Sequence, residues 1–110
     1  LGNCDFSALH NMLHMFYKCE NFKGTGLGKW DVSRVRYMQS MFFYCKNFNS
    51  DLSSWDTSNV ENMEWMFCKC TKLKADFSKW NVSKTSGLTV GMFNDCPNME
   101  SNPELKPPRR

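Results

Sequence analysis

Trp55-Asp56-Thr57-Ser58-Asn59-Val60-Glu61-Asn62-Met63-Glu64-Trp65-Met66-Phe67-Cys68-Lys69-Cys70 is the stretch that decides the fold. One period earlier the chain reads Trp30-Asp31-Val32-Ser33, then Val35, Met38, Met41, Phe42 and Cys45. A period before that come Cys4-Asp5-Phe6-Ser7, Leu9, Met12, Met15, Phe16 and Cys19. One period later come Trp80-Asn81-Val82-Ser83, Thr85, Leu88, Met92, Phe93 and Cys96. The Met-Phe pairs beginning at Met15, Met41, Met66 and Met92 are 26, 25 and 26 residues apart, and Trp30, Trp55 and Trp80 are 25 apart. A fixed period between 20 and 50 residues is the mark of a solenoid, in which each repeat stacks on the next.

Within one repeat, Val60, Met63, Phe67 and Cys70 recur at three- and four-residue steps, the spacing of one helix face. Ser58 precedes that face and Glu61 follows three residues later, the arrangement of a capping box. Asp5, Asp31, Asp56 and Asn81 each stand two residues before a Ser, which suits an Asx turn. The segment Asp51-Leu52-Ser53-Ser54-Trp55-Asp56-Thr57 carries strand-favouring Trp and Thr and predicts a strand of three to five residues. The expectation is an α/β repeat solenoid of about four coils, each a short parallel strand plus a short helix. Residues 1–100 form the array, with coils at about 4–24, 25–49, 50–75 and 76–100, and residues 101–110 are a Pro/Arg tail. The ladder that builds the core comprises Trp30, Trp55 and Trp80, Phe16, Phe42, Phe67 and Phe93, and Cys19, Cys45, Cys70 and Cys96. The methionines Met12, Met15, Met38, Met41, Met63, Met66 and Met92 fill the gaps, a use that suits flexible thioethers.

Composition excludes several function classes. The 110 residues are 41% hydrophobic and 15% aromatic, those of a chain that folds, and no apolar run approaches the roughly 18 residues of a membrane span. No charged-then-apolar leader precedes the first repeat, and the chain starts at Leu1 part-way into a repeat, so a piece of a longer protein is expected. The net charge is +3 with the basic residues scattered, and no basic stripe with interleaved aromatics predicts nucleic-acid binding. Four of the six cysteines form one column of the repeat, where free Cys behaves as a small apolar residue. Reduced thiols are expected, with the column too widely spaced for disulfides and with Cys68, outside the ladder, the thiol that reacts first.

The pattern W-D/N-x-S-x-V-x-x-M-x-x-M-F-x-x-C-x-x-F-x-x-D-L resembles the BspA-like leucine-rich repeat family of surface proteins, found in bacterial surface lipoproteins, protists and large DNA viruses. The resemblance spans residues 4 to about 99 in four successive copies, with Cys4 in place of Trp in the first copy and Thr85 and Leu88 weakening the fourth. It implies a leucine-rich-repeat-like fold and a role in adhesion or protein–protein contact.

No nucleophile–base pair or converging set of acids points to an enzyme. His10 and His14 share a helical face but have no third ligand, and the side chains of Cys68 and Cys70 diverge, so neither pair predicts a metal or any other cofactor. The ladder leaves Tyr17, Tyr37, Phe43, Tyr44 and Trp65 unexplained, and large aromatics off the core are characteristic of interaction surfaces. These five are the candidate binding residues. The expected function is a non-enzymatic protein-binding module for surface adhesion or recognition, at the cell surface or outside the cell. The alternative is a structural component of an intracellular or virion assembly, with reduced thiols, held by its coil ends and these aromatics to neighbouring subunits or further repeats.

Overall fold

The ladder segments run as ribbons of consecutive β-turns, and neighbouring repeats are joined backbone to backbone. The computed structural model describes residues 10–85 and 89–108. In the second repeat, turns close through the amides of Trp30 to Leu27 O (3.0 Å), Val35 to Val32 O (2.9 Å), Met41 to Met38 O (3.3 Å), Cys45 to Phe42 O (3.1 Å) and Phe48 to Cys45 O (3.0 Å). The third repeat makes the same five bonds 25 residues later, from Trp55, Val60, Met66, Cys70 and Leu73. Two turns in each ribbon place a left-handed residue third, where type II turns require positive φ. These residues are His14 and Lys18, Ser40 and Tyr44, Trp65 and Lys69, and Gly91 and Asp95, with φ between 56° and 68°.

Because a turn uses one amide and the next amide points along the stack, each ribbon bonds to the following one. Met12, His14, Phe16 and Lys18 donate to the carbonyls of Tyr37, Gln39, Met41 and Phe43 at 2.7–3.1 Å. Met38, Ser40, Phe42 and Tyr44 donate to Asn62, Glu64, Met66 and Cys68 at 2.8–2.9 Å, and Trp65, Phe67 and Lys69 to Val90, Met92 and Asn94 at 2.8–2.9 Å. The direction is parallel, with isolated bridges at Asn11–Tyr37 and Tyr37–Asn62.

The expected α/β repeat solenoid is therefore corrected. Among the described residues there is no sheet, and the only regular elements are α1 (Pro97–Glu100) and the 3₁₀ turns Leu27–Lys29 and Pro103–Leu105. No helix spans Val60–Cys70, because its amides bonded to backbone carbonyls donate three residues back or to a neighbouring layer (Glu61 to Arg36 O of the preceding layer, Trp65, Phe67 and Lys69 to the next) and not four residues back. Ser58 and Glu61 have no helix to cap, and Glu61 instead pairs with Arg36 of the preceding layer at 2.7 Å. The expected strand at Asp51–Thr57 is a turn closed at Leu52–Trp55. Neither are the coils far apart on the ladder side, since that side carries the backbone bonds between layers.

Stacked side chains fill the interior. Phe16, Phe42, Phe67 and Phe93 form one file with centroids 5.6, 5.4 and 5.5 Å apart and planes within 5–8°. Trp55 and Trp80 lie 6.1 Å apart, and their indole N–H groups donate to Leu27 O (2.8 Å) and Leu52 O (2.9 Å) of the preceding layer. A buried indole N–H needs such a partner. Asp31 and Asp56 accept both the amide (3.0 Å) and the hydroxyl (2.6 Å) of Ser33 and Ser58, forming the Asx turns that carry the chain round the corner. The segment after α1 returns to the last layer, where the Phe77 amide donates to Leu105 O at 2.7 Å. No helix among the described residues is long and apolar enough to cross a membrane. Cys4, Asp5, Phe6, Ser7, Leu9, Leu88 and the Arg109-Arg110 pair lie outside the described residues.

Candidate interaction surface

In a ribbon of turns, residues between the inward Met, Phe and Cys positions project away from the core. This places the five candidate aromatics on the outer face. Trp65 is 40% and Tyr17 41% exposed, while Tyr37, Phe43 and Tyr44 are half-buried. Tyr17 and Phe43 stack across two layers with centroids 5.1 Å apart. Tyr44 and Lys69 occupy one column and meet through a cation–π contact of 5.9 Å, and Arg36 lies 5.8 Å from the Tyr37 ring. Lys18 sits 5.4 Å from the Tyr17 ring. The face thus presents aromatic rings edged by cations, a combination that binds partners through both stacking and charge.

Trp65 is not a free-standing ring. A Cβ built on Gly91 would lie 2.2 Å from Trp65 Cε3, so the indole rests directly on the Gly91 backbone of the next layer. Gly91 also has φ +68°, and it is the glycine of its left-handed column, where the other layers carry His14, Ser40 and Trp65. The lost Cβ makes room for the neighbouring indole.

The ladder residues behave unequally. Phe42, Phe67, Phe93, Trp30, Trp55, Trp80, Cys45, Cys70 and Cys96 are buried, whereas Phe16 is half-buried and Met15 and Cys19 are exposed on the first described layer. Each buried column thiol donates to a Phe carbonyl of the preceding layer: Cys45 to Phe16 O (2.9 Å), Cys70 to Phe42 O (3.0 Å) and Cys96 to Phe67 O (2.8 Å). The column therefore needs a small residue that is also a donor, a role that apolar size alone did not reveal. Burial pushes the Cys45 and Cys96 thiols up to about 12 and raises Cys70 as well. The expectation for Cys68 is corrected: it is only 3% exposed, and burial, with Asp95 nearby, raises its thiol too. Among the described residues Cys19 is the exposed thiol.

His10 and His14 are exposed, and among the described residues no group of three His, Cys, Asp or Glu side chains is placed to hold a metal. What sequence reasoning missed is the pair of left-handed columns. His14 and Gly91 in one such column and Asp95 in the other, residue types that tolerate positive φ, were the outward signal.

Residues 1–105 match the model of a family described as a Mycoplasma protein of unknown function, DUF285, and the chain belongs to that family. No curated protein and no solved structure matches the chain.

Proposed function

We propose that this chain is a non-enzymatic repeat module that binds protein through the outer face of its turn ribbons. The observation that carries the reading is the exposure of Trp65 and Tyr17, two large aromatics off the core, on one face with half-buried Tyr37, Phe43 and Tyr44. Rigid amphipathic rings of this kind dominate binding energy at interfaces. The resemblance of the repeat to BspA-like leucine-rich repeat surface proteins supports recognition or adhesion at the cell surface or outside the cell. A second reading, a structural part of an intracellular or virion assembly, is favoured by the exposed Leu13, Met15 and Val90 on the outermost described layers.

The test is capture from the native source by the intact chain and by a Tyr17→Ser/Trp65→Ser variant. Capture by the variant should fall by at least about tenfold, as loss of an aromatic hot spot of about 2 kcal/mol requires. The variant must keep its circular dichroism spectrum for the comparison to count. Undiminished capture by the folded variant would remove the outer face as the binding site.

A further inference from the structure

The layer register brings together lysines that lie far apart in the sequence. Each layer turns a corner after its first ribbon, at residues 18–23, 44–49, 69–74 and 95–100. Bonds between layers hold these corners in line. Asn47 Nδ2 donates to Glu20 O (2.8 Å), the Asn49 amide to Lys23 O (3.3 Å), Thr71 Oγ1 to Lys46 O (3.5 Å) and the Lys74 amide to Asn49 Oδ1 (3.0 Å). The edge so formed presents Lys18 and Lys23, then Lys46, then Lys69, Lys72 and Lys74, all exposed. Six lysines against one glutamate leave +5 on these three corners, more than the +3 of the whole chain. The glutamate, Glu20, pairs with Lys46 at 3.3 Å, and the other five lysines have no carboxylate partner among the described residues.

This edge joins the aromatic outer face. Tyr44 and Lys69 belong to both and meet at 5.9 Å, with Lys18 in the same column beside the Tyr17 ring at 5.4 Å. We propose that the partner of the outer face presents an acidic segment, a short run in which Asp or Glu side chains alternate with apolar ones, and that its carboxylates bind the lysine edge. The inference rests on the outer face being the protein-binding surface and names the chemistry of its partner.

The charges that border the edge favour a short occupant. On the fourth layer the same corner carries Asp95 and Glu100 and no lysine. Round the corner, a cleft lined by Asn49, Lys74, Asp51 and Asp76 brings in two more carboxylates. From Lys18 to Lys69 is two layer steps, about 10 Å at about 4.8 Å a step, the length of about three extended residues. A nucleic-acid duplex or a membrane surface spreads past such a patch and meets the four carboxylates, whereas an extended acidic segment fits within it. Exposed ion pairs are individually weak, so the preference for acids comes from the number of lysines and fades with salt.

The test titrates the isotope-labelled chain with a short peptide of alternating Glu and Tyr, and with its Gln/Tyr counterpart, followed by NMR amide shifts. The Glu/Tyr peptide should shift Tyr44, Lys69, Lys72 and Lys74 and bind about tenfold more tightly than the Gln/Tyr peptide, as a few exposed ion pairs give. That margin should shrink between about 0.05 and 0.5 M salt, as screening shortens the reach of the charges. It should also shrink in a Lys69→Gln/Lys72→Gln/Lys74→Gln variant, whose replaced side chains are exposed. Equal binding of the two peptides at Tyr17 and Tyr44 would overturn the acidic partner and leave the aromatic face as a binding surface. Shifts by the Glu/Tyr peptide confined to other lysines, such as Lys29 and Lys79, would overturn it too. So would tighter binding at this edge of single-stranded DNA or of anionic phospholipid vesicles. A silent face, with no shift by either peptide at about 10 mM, also overturns the inference, while capture from the native source still decides the outer-face reading.

Discussion

Gly91 and Trp65 show how a single missing Cβ is tied to a neighbour one layer away. Gly91→Ala faces two separate penalties: positive φ, worth about 1–2 kcal/mol for a residue with a Cβ, and collision with the indole, since the new Cβ would lie 2.2 Å from Trp65 Cε3. Overpacking of this kind costs about 1–3 kcal/mol. In a Trp65→Ala background only the first penalty remains. Denaturant unfolding of the four proteins of this cycle should therefore give a coupling energy of about 1–3 kcal/mol. Additive effects would mean that the indole does not rest on Gly91. The same residue scale explains why Asp56 is followed two positions on by Ser58. Bonds from the Ser58 hydroxyl and amide hold its carboxyl below the usual carboxylate range.

At the scale of the element, the thiol file is a pH-sensitive seam. Cys45 and Cys96 titrate near 9.0 when solvated and are pushed up to about 12 in the fold, because burial disfavours the thiolate and the thiol proton is committed to a Phe carbonyl. A pKa raised on folding means that the native state holds its proton longer than the unfolded chain does. The stabilisation is thus complete below about pH 9 and is lost as pH rises from there towards about 12. Melting temperature should fall steeply across pH 9–11, and Cys45→Ala, though less stable at pH 7, should show a shallower fall. An equally steep fall in Cys45→Ala would take that thiol out of the seam. The periodicity that identified the core was legible in the sequence, apart from Met15 and Cys19, which are exposed on the first described layer, as was the Asx corner at Asp31 and Asp56. The element type was not. Successive turns closed by bonds three residues back place inward side chains at Val60, Met63, Met66 and Phe67, and Cys70, much the same spacing as a helix face. Only the destination of the intervening amides separates the two, and the sequence does not show it. Trp55 and Thr57, residues favoured in strands, serve here as an indole donor to Leu27 O and a hydroxyl donor to Asn81 O (3.0 Å) between layers.

For the molecule as a whole, stability comes from stacking and not from any layer alone. The Phe file, the Trp pair, the thiol column and the forward-pointing amides all join one repeat to the next, and so end layers are where exposed Leu13, Met15, Tyr17 and Val90 gather. The candidate aromatics were found from sequence because they fell outside the ladder. That Trp65 also packs on Gly91, and that Phe43 stacks on Tyr17, followed only from the layer register. The central claim is that ribbon amides bond forward to the next layer. Its most direct test is the measurement of scalar couplings across hydrogen bonds by NMR in the isotope-labelled chain. Correlations should join the Phe42 nitrogen to the Met66 carbonyl carbon and the Phe67 nitrogen to the Met92 carbonyl carbon. Correlations from Phe67 to Met63 and from Phe42 to Met38, four residues back, would restore the helix and contradict the account.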